Sequence, residues 1–482
     1  MALVCPQCQH VVVRTDRDLV NMGKVADVVF NDTALAHGDG GVFQGRSFLV
    51  HGRVVMQHPA GGTWEEYYAI FDTTGPSWIE EAMGRWYVLQ QVEATPPAIE
   101  GLAPGVSVDL GQYGTFVVDE VSQGTFSSAE GELPFSAAPG TVRRFADLSA
   151  PDGSRASIQQ VEGSSVVDVF VGVETTFDAL GVHRRSGERA EHKIAIDEIK
   201  CPSCGAPLPA RKDPKAERFV CKYCGALADV ATHTVIAQQD VSRLTPAIPL
   251  GSQGALDATP WVVIGYVTRA TNIEEETFTW EEYLLYNADR GYAWLICDEG
   301  IWRLGFALAG GEVDAARFPE SVKHHDTRYG FRNSGHASVT HVLGEFYWQV
   351  TLGETVLAHD FEAGSTVISR EASGSEVNWT LARTIPSALI DSAFGVNVGA
   401  VHASTPLDPT PDGASESFFS GSRIAPYLLL ALAFFFVVKV GKACQSAGPG
   451  QSVAQDCDDD GNCSPSGRGA GGAGGSGGFG GK

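Results

Sequence analysis

Four cysteines stand in two Cys-x-x-Cys pairs within CPSCGAPLPARKDPKAERFVCKYCGALADV: Cys201 and Cys204, then Cys221 and Cys224. Sixteen residues separate the pairs, and a glycine follows each one, Gly205 or Gly225. Thiolates are soft ligands, and four at this spacing suit tetrahedral Zn²⁺ in a closed, structural site. A glycine at that point has no Cβ and lets backbone amides turn toward a thiolate sulfur. The pattern predicts a zinc ribbon holding one Zn²⁺ per chain. The alternative is four buried or redox-active thiols.

Other chemistry-bearing residues are less organised. The element Trp-Glu-Glu-Tyr occurs twice, in TWEEYYAIF (63–71) and TWEEYLLYN (279–287). Strand alternation puts Trp280 and Glu282 on one face, and Glu281 and Tyr283 on the other. Paired carboxylates do acid–base work when they share an enclosed cleft, and the expectation here is an aromatic anchor with solvent-facing glutamates. His324, His325, His336 and His341 lack a carboxylate motif such as HExxH, and their polar surroundings (KHHDTRYGFRNSGH) predict surface histidines. No catalytic constellation emerges.

These residues need a scaffold, and the scaffold is a duplication. Residues 41–55 match 254–268 at a constant offset of 213, and the Trp-Glu-Glu-Tyr elements match at 216. Trp78 then falls on Trp294 and Trp86 on Trp302, while Gly131-Glu132 falls on Gly344-Glu345. Short runs rich in Val, Ile, Phe, Tyr and Trp, broken by Gly, Pro, Asn and Asp, predict strands. Helix is expected only around Asp314–His325 and Ile385–Phe394. The fold class is mainly β: two duplicated β-sandwich or barrel-like domains, each preceded by a zinc ribbon, plus one C-terminal transmembrane helix. The first ribbon is degenerate. Cys5 and Cys8 (CPQC) are compared with Cys201 and Cys204, and matching Ala26-Asp27-Val28 to Ala228-Asp229-Val230 puts Leu19 and Met22 opposite Cys221 and Cys224. His10 or a second protomer would have to complete any metal site there.

The ribbon of the CPxCGAPL…VCxYCG type, TWEEYLLYN, the later AWL and W, and GEFYW together resemble a bacterial family, the domain of unknown function 4178, present as a tandem pair over roughly residues 1–400. The family has no established activity. Its members tend to be encoded beside membrane proteins, polyamine-synthesis enzymes and envelope-stress components, which implies an accessory role at the bacterial inner membrane. GELPF (131–135) departs from GEFYW.

The divisions follow: 1–30 degenerate ribbon, 31–190 first β domain, 197–230 zinc ribbon, 231–400 second β domain, 401–423 linker. IAPYLLLALAFFFVVKVG, residues 424–441, is then long and apolar enough for a membrane helix, with Lys439 snorkelling at one boundary. Residues 442–482 form a disordered, glycine-rich tail. In it Asp456, Asp458, Asp460 and Gly461 open like a calcium loop, but Gly467 stands where the bidentate glutamate belongs. Cys457 and Cys463 would close a disulfide if the tail lies outside the cytosol.

Net charge of −24 argues against a nucleic-acid footprint for the whole chain. The N-terminus has no signal-peptide pattern. The expectation is a single-pass protein of the inner membrane with its N-terminal domains cytoplasmic. It would serve as a binding or scaffolding protein with unidentified protein partners. Two alternatives remain. An enzyme would show an enclosed cleft between the β domains with a carboxylate of raised pKa. A nucleic-acid-binding ribbon would use the basic cluster Arg211, Lys212, Lys215, Arg218 and Lys222.

Overall fold

The computed structural model describes residues 2–4, 10–14, 19–24, 35–135, 138–183, 200–208, 212–213, 215–242, 244–273 and 276–398. They belong to one compact unit, Met1–Val438. The expected linker, the membrane helix at 424–441, the tail, and Cys5 and Cys8 lie outside the described residues. Among the described residues no helix is long and apolar enough to cross a membrane.

The chain is mainly β, in two β-rich domains. The first uses β1 (Arg46–Gln57), β2 (Thr63–Phe71), β3 (Gly75–Ala82), β4 (Arg85–Val92), β5 (Thr115–Leu133), β6 (Val142–Ser149), β7 (Ser154–Val161) and β8 (Asp168–Thr175). Their order is β1-β2-β3-β4-β8-β7-β6-β5, and β5 pairs back onto β1, which closes the sheet on itself. The second repeats this with β9 (Thr259–Ile273), β10 (Glu276–Asn287), β11 (Gly291–Asp298), β12 (Ile301–Leu308), β13 (Thr327–Phe346), β14 (Thr355–Ala363), β15 (Thr366–Ala372) and β16 (Val377–Thr384). There β13 closes onto β9. Closure is possible because β5 and β13 are long. Each pairs with β6 or β14 along its first half and with β1 or β9 further on.

Registers confirm the duplication. Tyr67 lies opposite Arg53 and Tyr283 opposite Tyr266, with a bulge at Val50/Gly52 in one copy and at Val263/Gly265 in the other. Trp78 pairs across with Leu89 and Trp294 with Gly305, while Trp86 faces Glu81 and Trp302 faces Cys297. Trp294, Trp302, Trp280, Trp86 and Trp78 are buried, but Trp64 is only partly so. A helix α1 (Ser387–Phe394) forms where expected and ends on Gly395 in the left-handed region. Residues 314–325 are not helical. They form a hairpin, Val313–Arg317 with Ser321–His324, docked on the start of β13. Pro319 cannot donate to a helix, and β13 offers an edge that pairs the segment instead.

The expected alignment of the first cysteine pair is corrected. Strand Ala2–Val4 pairs Val4 with Gly131, as strand Arg218–Val220 pairs Val220 with Gly344. Gly131 and Gly344 are equivalent, opposite Gly52 and Gly265. Cys5 therefore follows its strand as Cys221 follows its own, so CPQC corresponds in chain order to CKYC and not to CPSC. Leu19–Lys24 is the third strand, where Val235–Gln238 lies beside the second set of cysteines, so Leu19 and Met22 do not stand opposite cysteines. The short ADV match loses to ladder pairing because register is set by the whole strand.

The two copies touch through glycines. A Cβ added to Gly84 would lie 2.2 Å from the Gly291 Cα, and one added to Gly291 would lie 2.2 Å from the Met83 carbonyl oxygen. Gly310 and Gly311, in a short turn after β12, likewise meet Asp119 and Ser149 of the first copy.

Candidate functional site

The four predicted cysteines do converge. Their sulfurs all lie within 4.8 Å of one another, with Cys201–Cys224 at 3.7 Å and Cys204–Cys221 at 3.8 Å. A tetrahedral thiolate site with metal–sulfur bonds of about 2.3 Å sets its sulfurs about 3.8 Å apart, so these spacings fit a four-thiolate centre. Both knuckles turn alike. Gly205 N donates to Cys201 O at 2.9 Å and Gly225 N to Cys221 O at 2.8 Å, and both glycines have positive φ. Among the described residues this is the one cluster that could hold a metal ion.

The four-cysteine segment is built into the second barrel. Strand Arg218–Val220 extends the sheet beside β13, and Gln239 exchanges hydrogen bonds with the Val342 backbone. Asp213, fully buried, accepts from the Tyr292 hydroxyl at 2.7 Å. Its own amide and that of Lys212 donate to Glu345. Lys215 pairs with Glu81 of the first copy and Arg218 with Asp229, while Lys222 lies over the Tyr223 ring. Two of the basic residues are thus committed to carboxylates, and Arg211 is outside the described residues. The histidines stay apart as a metal set, but His324 is buried rather than at the surface, and burial lowers its pKa.

The Trp-Glu-Glu-Tyr glutamates also differ from expectation. Trp64 Nε1 donates to Glu66 at 2.7 Å and Trp280 Nε1 to Glu282 at 2.7 Å. Tyr67 and Tyr283 donate to Glu65 and Glu281. Glu65, Glu66 and Glu282 are buried, not solvent-facing. Glu66 pairs with Arg143 and Glu282 with Arg269, since a closed barrel turns one face of every strand inward.

Sequence reasoning missed a second site, a cavity of about 370 Å³ in the first barrel, roofed by the second. Carboxylates Glu80, Asp119, Glu120, Asp147, Glu174 and Glu376 line it. A bulge between Val118 and Glu120 positions the β5 pair. Asp119 accepts from Ser149 Oγ at 2.9 Å and from Gly310 N of the second copy at 2.8 Å, yet burial raises it to about 6. Asp147 accepts from Ser157 Oγ at 2.7 Å. It is open to the cavity but ringed by protein, and that enclosure, with Glu120 nearby, pushes it up to about 7. Burial raises Glu80 as well, followed by the charges of Glu66 and Asp147. Glu174, despite burial, is held below its ordinary value by Arg85 and Arg155, the former bidentate at 2.9 and 2.6 Å.

His58 Nε2 lies 2.9 Å from Glu120 and 2.8 Å from Ser122, while Ala60 N donates to Nδ1 at 3.2 Å. Acid and hydroxyl share one ring nitrogen, so this is not a serine–histidine–acid relay, which needs them on opposite nitrogens. The one sequence signal for the cavity was the duplication, which implies a junction between copies.

A sequence profile described as domain of unknown function (DUF4178) matches residues 36–176 and again 249–387. The chain belongs to this family. Both matches of this DUF4178 tandem fall on the barrels, and the four-cysteine segment lies between them. No curated protein and no solved structure matches the chain.

Proposed function

We propose that this DUF4178 tandem is a membrane-tethered binding protein of the bacterial inner membrane, with its barrels in the cytoplasm. Cys201, Cys204, Cys221 and Cys224 hold one zinc ion as a structural clasp, and the apolar segment 424–441 is the tether. The observation that carries the reading is where the cysteine segment sits: its strand extends β13, and its Lys215 reaches Glu81 of the other copy. Four thiolates used as ligands leave no open position for a substrate, so the ion supplies rigidity. The commitment of Lys215 and Arg218 to carboxylates weighs against a nucleic-acid footprint.

The tether is tested by alkaline carbonate extraction of membranes from cells making the full chain and a version lacking 424–441. The full chain should stay in the pellet and the shortened one should wash out. A full chain that washes out sinks the tether.

A second reading is an enzyme with its site between the β domains. The observation favouring it is the cavity between the copies with Asp119 and Asp147 raised toward neutrality, the range in which a carboxyl exchanges protons usefully.

A further inference from the structure

We infer that the cavity between the copies binds a small organic cation that carries an ammonium group beside a neutral oxygen acceptor, of the amino-alcohol or amino-amide class. This deepens the binding reading and rests on it only for a ligand seat between the copies.

Size comes first: about 370 Å³ is within the range of small-molecule sites, which run from roughly 300 to 1,000 Å³. Charge sets the sign. Against six lining carboxylates stand Arg85, Arg155, Arg290 and His58. Arg85 and Arg155 are both committed to Glu174, and His58 to Glu120. Asp119 and Asp147 are held by hydroxyl and amide donors, not by a guanidinium. An anion would meet this surplus unfavourably, and a cation would relieve it.

Geometry then separates an organic cation from a metal. Among the described residues the cysteines form the one set of three or more candidate ligands that converges on a point, so the cavity carboxylates do not. Spread carboxylates suit an extended ion with separate hydrogen-bonding ends. Trp64, Tyr87, Phe145 and Trp379 add aromatic walls, which attract ammonium groups through their ring faces.

Trp379 supplies an independent pointer. It is 5% exposed overall and lines the cavity, and its indole N–H, which makes no hydrogen bond among the described residues, is open rather than buried in the wall. An indole N–H at the wall of a cavity is a donor waiting for an acceptor, and a ligand oxygen would be that partner. Its nitrogen would lie 3.8 Å from a Cβ on Gly310, the residue whose amide holds Asp119. Donor and carboxylate therefore border the same end of the cavity.

The test is calorimetric titration of the detergent-solubilised full-length chain with 4-aminobutan-1-ol, n-butylammonium, butyrate and Mg²⁺. Both ammonium probes should bind, the amino alcohol several-fold tighter, with butyrate and Mg²⁺ silent. Binding should be about tenfold weaker at pH 6 than at pH 8, since a carboxyl titrating at about 7 goes from mostly ionised to mostly protonated. The groups facing Asp147 in that titration are Asp119, Glu120, Glu80, Tyr87 and Arg143. Glu80→Gln and Asp147→Asn should each weaken binding about tenfold, and Asp360→Asn, at the equivalent place in the second barrel, should not. Glu80 makes no hydrogen bond among the described residues, so its variant guards against a folding defect in the other. No heat from either ammonium probe, equal binding of butyrate, or indifference to Glu80→Gln overturns the proposal. Such a failure leaves tether and clasp standing, and their failure leaves this result standing.

Discussion

The two barrels share their ladder registers and differ in what fills them. Glu66 and Glu282 occupy the same place and take the same indole hydrogen bond, but their cations come from different strands. Arg143 on β6 serves Glu66, and Arg269 on β9 serves Glu282. The equivalent positions hold Val356 and Met56, both apolar. A cation for this glutamate is therefore kept while its origin moves, as expected when an unpaired buried carboxylate is far costlier than either arrangement of the pair. Elsewhere the barrels diverge. Where the first has Glu80, Arg85 and Arg155, the second has Ile296, Ile301 and Val367. The Asp147–Ser157 hydrogen bond survives as Asp360–Ser369. The first copy opens its polar groups onto a cavity, while the second replaces Glu80, Arg85 and Arg155 by aliphatic side chains and serves as roof and as seat of the four-cysteine segment.

The two cysteine-bearing segments give the sharpest way to break this comparison. Purified chain should carry about one equivalent of zinc, all of it lost in Cys204→Ser and little changed in Cys8→Ser, as elemental analysis would show. Two equivalents would make Cys5 and Cys8 part of a working site.

Next is the exchanged cation. Arg269→Met should destabilise the fold by about 3 kcal/mol in urea unfolding, because Glu282 is left buried without its partner. In the first barrel, Arg143→Val should be rescued in part by adding Met56→Arg, which recreates the arrangement of the second. No rescue would mean that the two barrels hold their carboxylates by different means.

The smallest effect is in pH. Folding raises Asp147 to about 7 from an ordinary value near 3.9. The folded state thus holds a proton that the unfolded state gives up, and this group's contribution falls as pH rises from about 4 through 7. Asp147→Asn should flatten the decline in melting temperature between pH 5 and pH 8. An unchanged slope would show that the cavity does not shield this carboxyl.

Much was legible in the residues themselves. Two matched segments at offsets of 213 and 216 were enough to declare a duplication, because equal spacing of bulky residues forces equal registers. Two Cys-x-x-Cys-Gly knuckles declared a thiolate cluster, since each turn needs only its own five residues to aim two sulfurs inward. Alternation also told that Trp280 and Glu282 share a face.

Which face was inside, only closure of the barrel decided. Glu66 and Glu282 look like surface residues by type, yet sheet closure turns them inward with an arginine that lies far off in sequence. The hairpin at 313–324 owes its form to the edge of β13, and the place of CPQC to the ladder on β5. Both depend on partners more than a hundred residues away or on strands whose reach no local pattern shows. The cavity is the extreme case. Its walls come from seven strands of the first barrel and its roof from the other copy, so no stretch of chain contains it. Local chemistry sets what each segment can do, and long-range pairing sets which of those groups meet.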